Sequence, residues 1–220
     1  MHVIAVVVAG SAHALTPVAG VPMVVRGVRT LLAGAGVERV VVATANVLRP
    51  EVERVCVGAP VDVRSPSAHG IGAHIVQRPG ATRGDDPGTS SRDGIVLLHD
   101  AHRPFAPAEL VAAVVAAVRA GHGMAVPALP LTDTVKSVDD RGAFTGTPDR
   151  AALRVLQTPI AVRAGVLPAD ACTDPLAAVR RYAAAGGEVR TVTGHPAAFA
   201  VRSAWDLELA ELIAHGKIRL

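Results

Sequence analysis

The sequence predicts an α/β domain built on a mostly parallel sheet with helices on both faces. Three observations carry that prediction. Val3–Ala9 and Ile95–Leu98 are apolar runs of strand length with no polar alternation, the pattern of strands buried on both faces. The chain opens strand, helix, strand, a βαβ unit that dictates parallel pairing. Its 220 residues, 50% hydrophobic, suffice for one sizeable core and are too few for two comfortable ones, so residues 1–220 are expected to form one domain.

Taken in order, Val3–Ala9 is the first strand, Gly10–His13 a loop, and Val21–Ala33 a helix with Pro22 near its first turn. Arg39–Thr44 is a second strand, Pro50–Val55 a short helix, and Val61–Arg64 and Ala73–Val76 are short strands. Gly80–Arg92, rich in Gly, Asp, Pro, Ser and Thr, reads as a loop. Ile95 opens the next strand and Pro104 ends it. Pro107–Ala120 has helical spacing and alanine-rich propensity, with Gly121 as its stop, and Gly123–Pro127 is a strand. Leu131–Thr145 alternates apolar and polar residues around Asp139-Asp140-Arg141-Gly142, a hairpin signal. Ala161–Leu167 and Asp174–Ala185 are expected as helices, Glu188–Val192 as a strand and Ala204–Ala214 as a terminal helix.

Composition excludes several classes. The longest apolar runs, Val3–Gly10 and Leu110–Val118, fall far short of the roughly 20 residues a membrane span needs. No cationic region precedes the first of them and no small-residue cleavage site follows, so a cytoplasmic protein is expected. Cys56 and Cys172 have no metal-ligand spacing and read as buried, reduced thiols. The net charge is +3, the only lysines are Lys136 and Lys217, and aromatics make up 2% of the chain. Without basic runs or stacking platforms, nucleic-acid binding is not expected.

The most informative stretch is Ile95-Val-Leu-Leu-His-Asp100-Ala-His102-Arg103-Pro104, an apolar strand ending in an acid, two imidazoles and a guanidinium. Ligand crevices of open α/β sheets lie at the carboxyl ends of such strands, which makes Asp100 and Arg103 candidate catalytic residues. A strand-end turn with a solvated Asp–Arg pair is the plainer alternative.

Five further segments follow in order: Pro130–Lys136, Thr147–Arg150, Leu156-Gln157-Thr158-Pro159, Thr173-Asp174, and Ala204–Glu211. With His99–Pro104, this ordered set resembles the methylerythritol-phosphate cytidylyltransferase family of the non-mevalonate isoprenoid route, from about Val3 to Ile213. The resemblance implies a Rossmann-like nucleotidyltransferase fold and a homodimer formed through a projecting β-hairpin arm at about residues 131–158. It implies transfer of CMP from CTP to the phosphate of methylerythritol phosphate, with Mg2+ held at Asp100, as a hard cation prefers. It also implies that Thr134 and Arg150, on the arm of the partner subunit, bind substrate phosphate, and that Arg103, Thr158 and Thr173 line the same pocket. Guanidinium forks and hydroxyls suit phosphate. Singly, each has a local alternative: Thr134 and Lys136 fit a solvated strand face, Arg150 a local pair with Asp149, and Thr173 a helix N-cap.

The chain departs from the family pattern on the nucleotide side. The family's glycine-rich loop, of the type AAGxGxRxG followed by Pro-Lys, is here Val8–Pro17, shorter and without the arginine and lysine. Ala9, Gly10 and Ser11 are what remains for nucleotide contact, and one glycine makes a poor triphosphate cradle. A Phe-Lys-Val element before the last helix is here Phe199-Ala200-Val201. The family's Gly-Gly-x-x-Arg-x-x-Ser turn survives as Gly80 and Arg83, with Ser90 or Ser91 as stand-ins for the serine. His13 is the one ionisable group left in the first loop, and Arg26 and Arg29 are helix cations that either reach toward it or stay in solvent. Losing one charge-stabilising donor typically costs about 10²–10³ in rate, so weak or impaired turnover is expected. The alternative is a non-catalytic homologue that binds a polyol- or sugar-phosphate. A sugar-phosphate or molybdopterin nucleotidyltransferase would share the fold, but the hairpin motif and Gln157-Thr158-Pro159 match the isoprenoid enzymes. A dinucleotide oxidoreductase needs a GxGxxG after the first strand, and none is present.

Overall fold

The structure, a computed structural model, describes residues 1–34, 36–66, 94–168 and 171–219. The expected strand at Ala73–Val76 and loop at Gly80–Arg92, with Gly80, Arg83, Ser90 and Ser91, lie outside the described residues. In chain order the described elements begin with β1 (Val3–Ala9), the short pair β2 (Pro17–Val18) and β3 (Val21–Pro22), α1 (Met23–Ala33), β4 (Val37–Thr44), α2 (Arg49–Val55) and β5 (Val61–Arg64). They continue with β6 (Ile95–Asp100), α3 (Ala108–Arg119), β7 (Met124–Pro130), β8 (Ser137–Val138) and β9 (Phe144–Gly146). The last are β10 (Arg154–Leu156), β11 (Ile160–Arg163), α4 (Pro175–Ala184), β12 (Val189–Thr193) and α5 (Ala204–Ala214).

One mixed sheet organises them, in the order β10-β7-β11-β6-β1-β4-β5, with β12 paired to β7. β1 is buried along its whole length because it lies between two parallel neighbours, β4 and β6, and under helices on both faces. Its alternate residues Val3, Ala5 and Val7 pack with Val24, Val28 and Leu31 of α1 and Val111, Val114 and Val118 of α3. Ile4, Val6 and Val8 point the other way, into the cluster that holds Ala178 and Val179 of α4. Burial of one such aliphatic side chain is worth about 1.5–3 kcal/mol, which is why an unbroken apolar run settles at the centre. The thiols of Cys56 and Cys172 are free and buried, and burial pushes that of Cys172 up to about 12.

Two expectations are corrected. Ala161–Leu167 is not a helix: Ile160–Arg163 forms β11, antiparallel to both β6 and β7, and Ala164–Val166 is a single 3-10 turn. Ile160, Ala161 and Val162 are completely buried between those strands, and so short an apolar run carries no period that separates strand from helix. The first helix starts at Met23 because Val21 and Pro22 pair back onto Val18 and Pro17, a turn that also joins the Met23 amide to Thr16 O at 3.1 Å.

Because β11 runs against both β6 and β7, those two strands share a direction, and β1, β4 and β12 are parallel to them. The carboxyl ends of all five therefore open on one edge. From that edge the chain leaves β7 into a hairpin, β8 paired antiparallel with β9, whose turn is held by Asp139 Oδ1 accepting from the amides of Arg141 and Ala143. Gly142 supplies the positive φ of 80° there. By Arg154 the chain is back in the main sheet as β10, on β7.

Candidate active site

Asp100 ends β6 in register with Val8, and Ala9 pairs with Thr44 at the end of β4, so acid and first loop share the carboxyl edge. Its side chain is only 15% exposed. Oδ1 accepts from the His102 amide at 3.0 Å and from His102 Nδ1 at 2.7 Å, and Oδ2 lies 3.3 Å from Arg202 Nη2. Burial pushes the carboxyl up, but the hydrogen bonds from the ring and amide of His102, with the charges of His102 and His99, outweigh it. The net effect holds Asp100 well below the usual carboxylate range, as an anion. An ionised carboxylate only accepts, so His102 carries its proton on Nδ1. In the neutral ring Nε2 is then the acceptor for the Ser11 hydroxyl, 3.2 Å away.

Thr158 supports the acid from the bend between β10 and β11. The Asp100 amide donates to its hydroxyl oxygen at 3.1 Å, and that oxygen is 3.0 Å from His99 Nδ1. His99 is completely buried, with its ring against Gly27 of α1, where a Cβ would meet the imidazole at 3.1 Å. Burial pushes His99 down to about 4, against the pull of the Asp100 carboxylate, so the ring is neutral at pH 7.

The loop after β1 closes over this group. Ala12–Leu15 form a 3-10 turn, the His13 ring stacks on His102 with centroids 5.5 Å apart, and Thr16 Oγ1 is 3.2 Å from His13 Nδ1. Ala9 is buried at the strand end, where its carbonyl accepts from Thr44, whereas Gly10 and Ser11 are exposed.

Arg103 takes a different place from the one its sequence position suggests. It is 6% exposed, and its guanidinium donates to the carbonyls of Ala198 and Leu156. It ties the turn after β6 to β10 and to the segment before α5. Thr134 and Arg150 meet at the base of the hairpin, where they line an open concavity of about 510 Å³ with Val135, Thr147, Pro148 and Asp149. Arg150 Nη1 donates to Thr132 O at 3.2 Å, and Lys136 Nζ to Thr147 Oγ1 at 2.7 Å. Thr173 is exposed next to Asp174, and Asp174 caps α4 by accepting from Leu176 and Ala177. The structure thus brings together Asp100, Thr158 and the Ser11 loop in one group, and Thr134 with Arg150 in another.

Sequence reasoning missed His102, Ser11 as its partner, and Arg202. An acid followed two residues later by histidine is a local signal for an Asx-type turn, and it was available. No local pattern announces Arg202, whose contact with Asp100 spans 102 residues.

Among the described residues no three His, Cys, Asp or Glu side chains converge as a metal cage. A lone anionic carboxylate at a crevice does fit Mg2+, which is commonly bound by one or two carboxylates completed by water and substrate phosphates.

A sheet of this order, with an anionic aspartate at its carboxyl edge under the loop after β1, defines a nucleotidyltransferase-type α/β protein. The sequence model of the 2-C-methyl-D-erythritol 4-phosphate cytidylyltransferases matches residues 6–215, and the chain belongs to that family. The enzyme of this name from Nocardia farcinica is 39% identical over 217 residues, 92% of this chain and 86% of that one. Its namesake from Frankia casuarinae is 40% identical over 93% of this chain and 74% of the relative. The crystal structure of the cytidylyltransferase from Thermus thermophilus superposes with a TM-score of 0.68, at 26% identity, over 98% of this chain and all of the other.

Proposed function

We propose that this chain transfers CMP from CTP to 2-C-methyl-D-erythritol 4-phosphate in isoprenoid biosynthesis, at a rate below that of relatives with a full set of loop cations. The observation that carries the reading is the anionic Asp100, held by His102 and Thr158 at the carboxyl edge of the sheet. An oxygen of the acceptor phosphate attacks the α-phosphorus of CTP. The new P–O bond forms as the bond to the β-phosphate bridge breaks, and pyrophosphate leaves with that electron pair. Transfer of this kind is almost wholly positioning and charge stabilisation. Asp100 would hold Mg2+, which would supply charge neutralisation for the phosphates. Thr158 fixes the Asp100 backbone, Ser11 and Gly10 offer the remaining loop contacts, and Thr134 and Arg150, reaching over on the arm of the other copy in the dimer, present a hydroxyl and a guanidinium to the acceptor phosphate. Gly80, Arg83 and Thr173 complete the proposed set.

The proposal includes one domain over residues 1–220, a homodimer formed through the hairpin, and a cytoplasmic location. Phe144 and Val138 of the hairpin, 78% and 56% exposed, give it an apolar surface to bury against a partner. No helix among the described residues is long and apolar enough to cross a membrane, and the two cysteines are free. Pyrophosphate release from CTP plus methylerythritol phosphate above a no-enzyme blank tests the reading; none at high enzyme concentration ends it.

A second reading, a non-catalytic binder of a polyol- or sugar-phosphate, is favoured by one observation. Ser11 and His13 already engage His102, and both Asp100 oxygens have partners, so the nucleotide side is closed on itself. Calorimetry separates the two: this reading requires heat with methylerythritol phosphate and none with CTP and Mg2+.

A further inference from the structure

The last residues before α5 are held on both sides of the Arg202 Cα. The Val201 amide donates to His102 O at 2.7 Å, which fixes the segment to the turn after β6. One residue on, the Arg202 amide donates to Asp206 Oδ2 at 3.0 Å, and Ser203 and Asp206 form a reciprocal capping box at the start of α5. Between these anchors the Arg202 side chain has little choice of origin, and its guanidinium lands 3.3 Å from Asp100 Oδ2. The Arg202 side chain remains 63% exposed while that of Asp100 is 15% exposed. An ion pair with so exposed a partner is weak, so the guanidinium is free to exchange.

Among the described residues, two other arginines near this edge already hold backbone carbonyls. Arg103 is buried, and its Nη1 and Nη2 donate to the carbonyls of Ala198 and Leu156, with Nε left unpartnered in the interior. Arg26 donates twice to Val18 O and lies over the Phe105 ring at 5.1 Å. Arg202 uses only its Nη2 group on Asp100, which leaves most of a five-donor fork turned to solvent at the carboxyl edge of the sheet.

We propose that Arg202 is a nucleotide-phosphate ligand of this chain, held ready by Asp100 and transferred to the phosphates of a nucleoside triphosphate when one enters. The assignment rests on the reading of the edge as a CTP site. It places positive charge two residues beyond Ala200, on the acid whose partner His102 meets Ser11 of the loop that has no arginine or lysine of its own. A planar guanidinium binds phosphate oxygens bidentately, and a polyphosphate outcompetes the single contact to Asp100. Arg202 is a binding residue in this account, and its loss falls on CTP and spares the acceptor.

The test is CTP binding by calorimetry to the full chain, with EDTA and again with Mg2+, for wild type, Arg202→Ala and Arg202→Lys. Thermal melting of each protein verifies the fold, which an exposed side chain should barely affect. Loss of a charge-assisted phosphate contact predicts about 10- to 100-fold weaker CTP binding in Arg202→Ala with and without metal. Partial recovery is expected in Arg202→Lys, and methylerythritol phosphate should bind all three equally. If wild type binds CTP and Arg202→Ala binds it as well or better, Arg202 is a plug on Asp100 and the assignment falls while the cytidylyltransferase reading stands. If wild type binds no CTP, both fall together.

Discussion

The hydroxyl of Thr158 accepts the amide of Asp100 across 58 residues of sequence and sits 3.0 Å from His99 Nδ1. One oxygen thus satisfies two buried groups and fixes where the acid begins. Thr158→Val keeps the shape and removes both contacts, leaving an amide and an imidazole nitrogen unpaired in the interior. A loss of about 1–3 kcal/mol is expected, read from the urea midpoint, with Thr158→Ser retaining most of it. An unchanged midpoint in the valine variant would show that water replaces the hydroxyl.

His99 makes stability depend on pH. Unfolded, its imidazole takes up a proton near 6.5; folded, only near 4, because burial disfavours the cation. Between those values the unfolded chain binds more protons, so stability rises with pH through that window. The metal-free protein should be indifferent to His99 above about pH 7 and lose stability on the order of 3 kcal/mol between 6.5 and 4. The contribution of Asp100 has the depressed-carboxylate sign: it is present above the ordinary carboxylate range and declines only below it. The two are therefore separable by urea titrations at pH 7, 5.5 and 4.5, and a flat midpoint over that range contradicts the neutral, buried ring.

Gln157 clamps two segments at the same edge. Its side-chain nitrogen donates to His195 O at 2.8 Å and its side-chain oxygen accepts the His195 amide at 2.9 Å, with the residue 2% exposed. Gln157→Leu leaves both backbone groups unpaired and should cost about 1–3 kcal/mol. Gly194→Ala should cost stability for the complementary reason, since its Cβ would overlap Gln157 Oε1 and lie 3.0 Å from the Ala128 carbonyl carbon. Denaturant midpoints equal to wild type for both would show that the clamp does not restrain the end of β12.

The end of β6 was legible because its chemistry is local: an apolar run that can only be a central strand, then an acid and a guanidinium at its carboxyl end. The βαβ start, α3 and α5 were legible for the same reason, since period and caps lie within each segment. β11 was not, because Ile160–Arg163 owes its form to β6 and β7 on either side, and three buried aliphatics have no period. The motif marks Arg103 as a pocket residue, but the two carbonyls its Nη1 and Nη2 hold come from positions far along the chain and show only in the fold. Arg202 was invisible for the same physical reason: only the folded chain brings it to Asp100.

The hairpin offers a prediction about assembly. Phe144 is 78% exposed, a large apolar surface on an element outside the main sheet. If it seats against a second copy, Phe144→Asp should shift sedimentation from dimer to monomer without lowering the melting temperature of the remaining fold. A wild-type protein that sediments as a monomer at micromolar concentration contradicts the proposed arm.

Pyrophosphate release from CTP, methylerythritol phosphate and Mg2+, compared between wild type and Asp100→Asn, tests the central claim most directly. The account predicts slow but measurable release by wild type and a fall of at least about 10²-fold in the asparagine variant, which keeps the shape and loses the charge. Release undiminished in Asp100→Asn, or none above the blank from wild type, would contradict it.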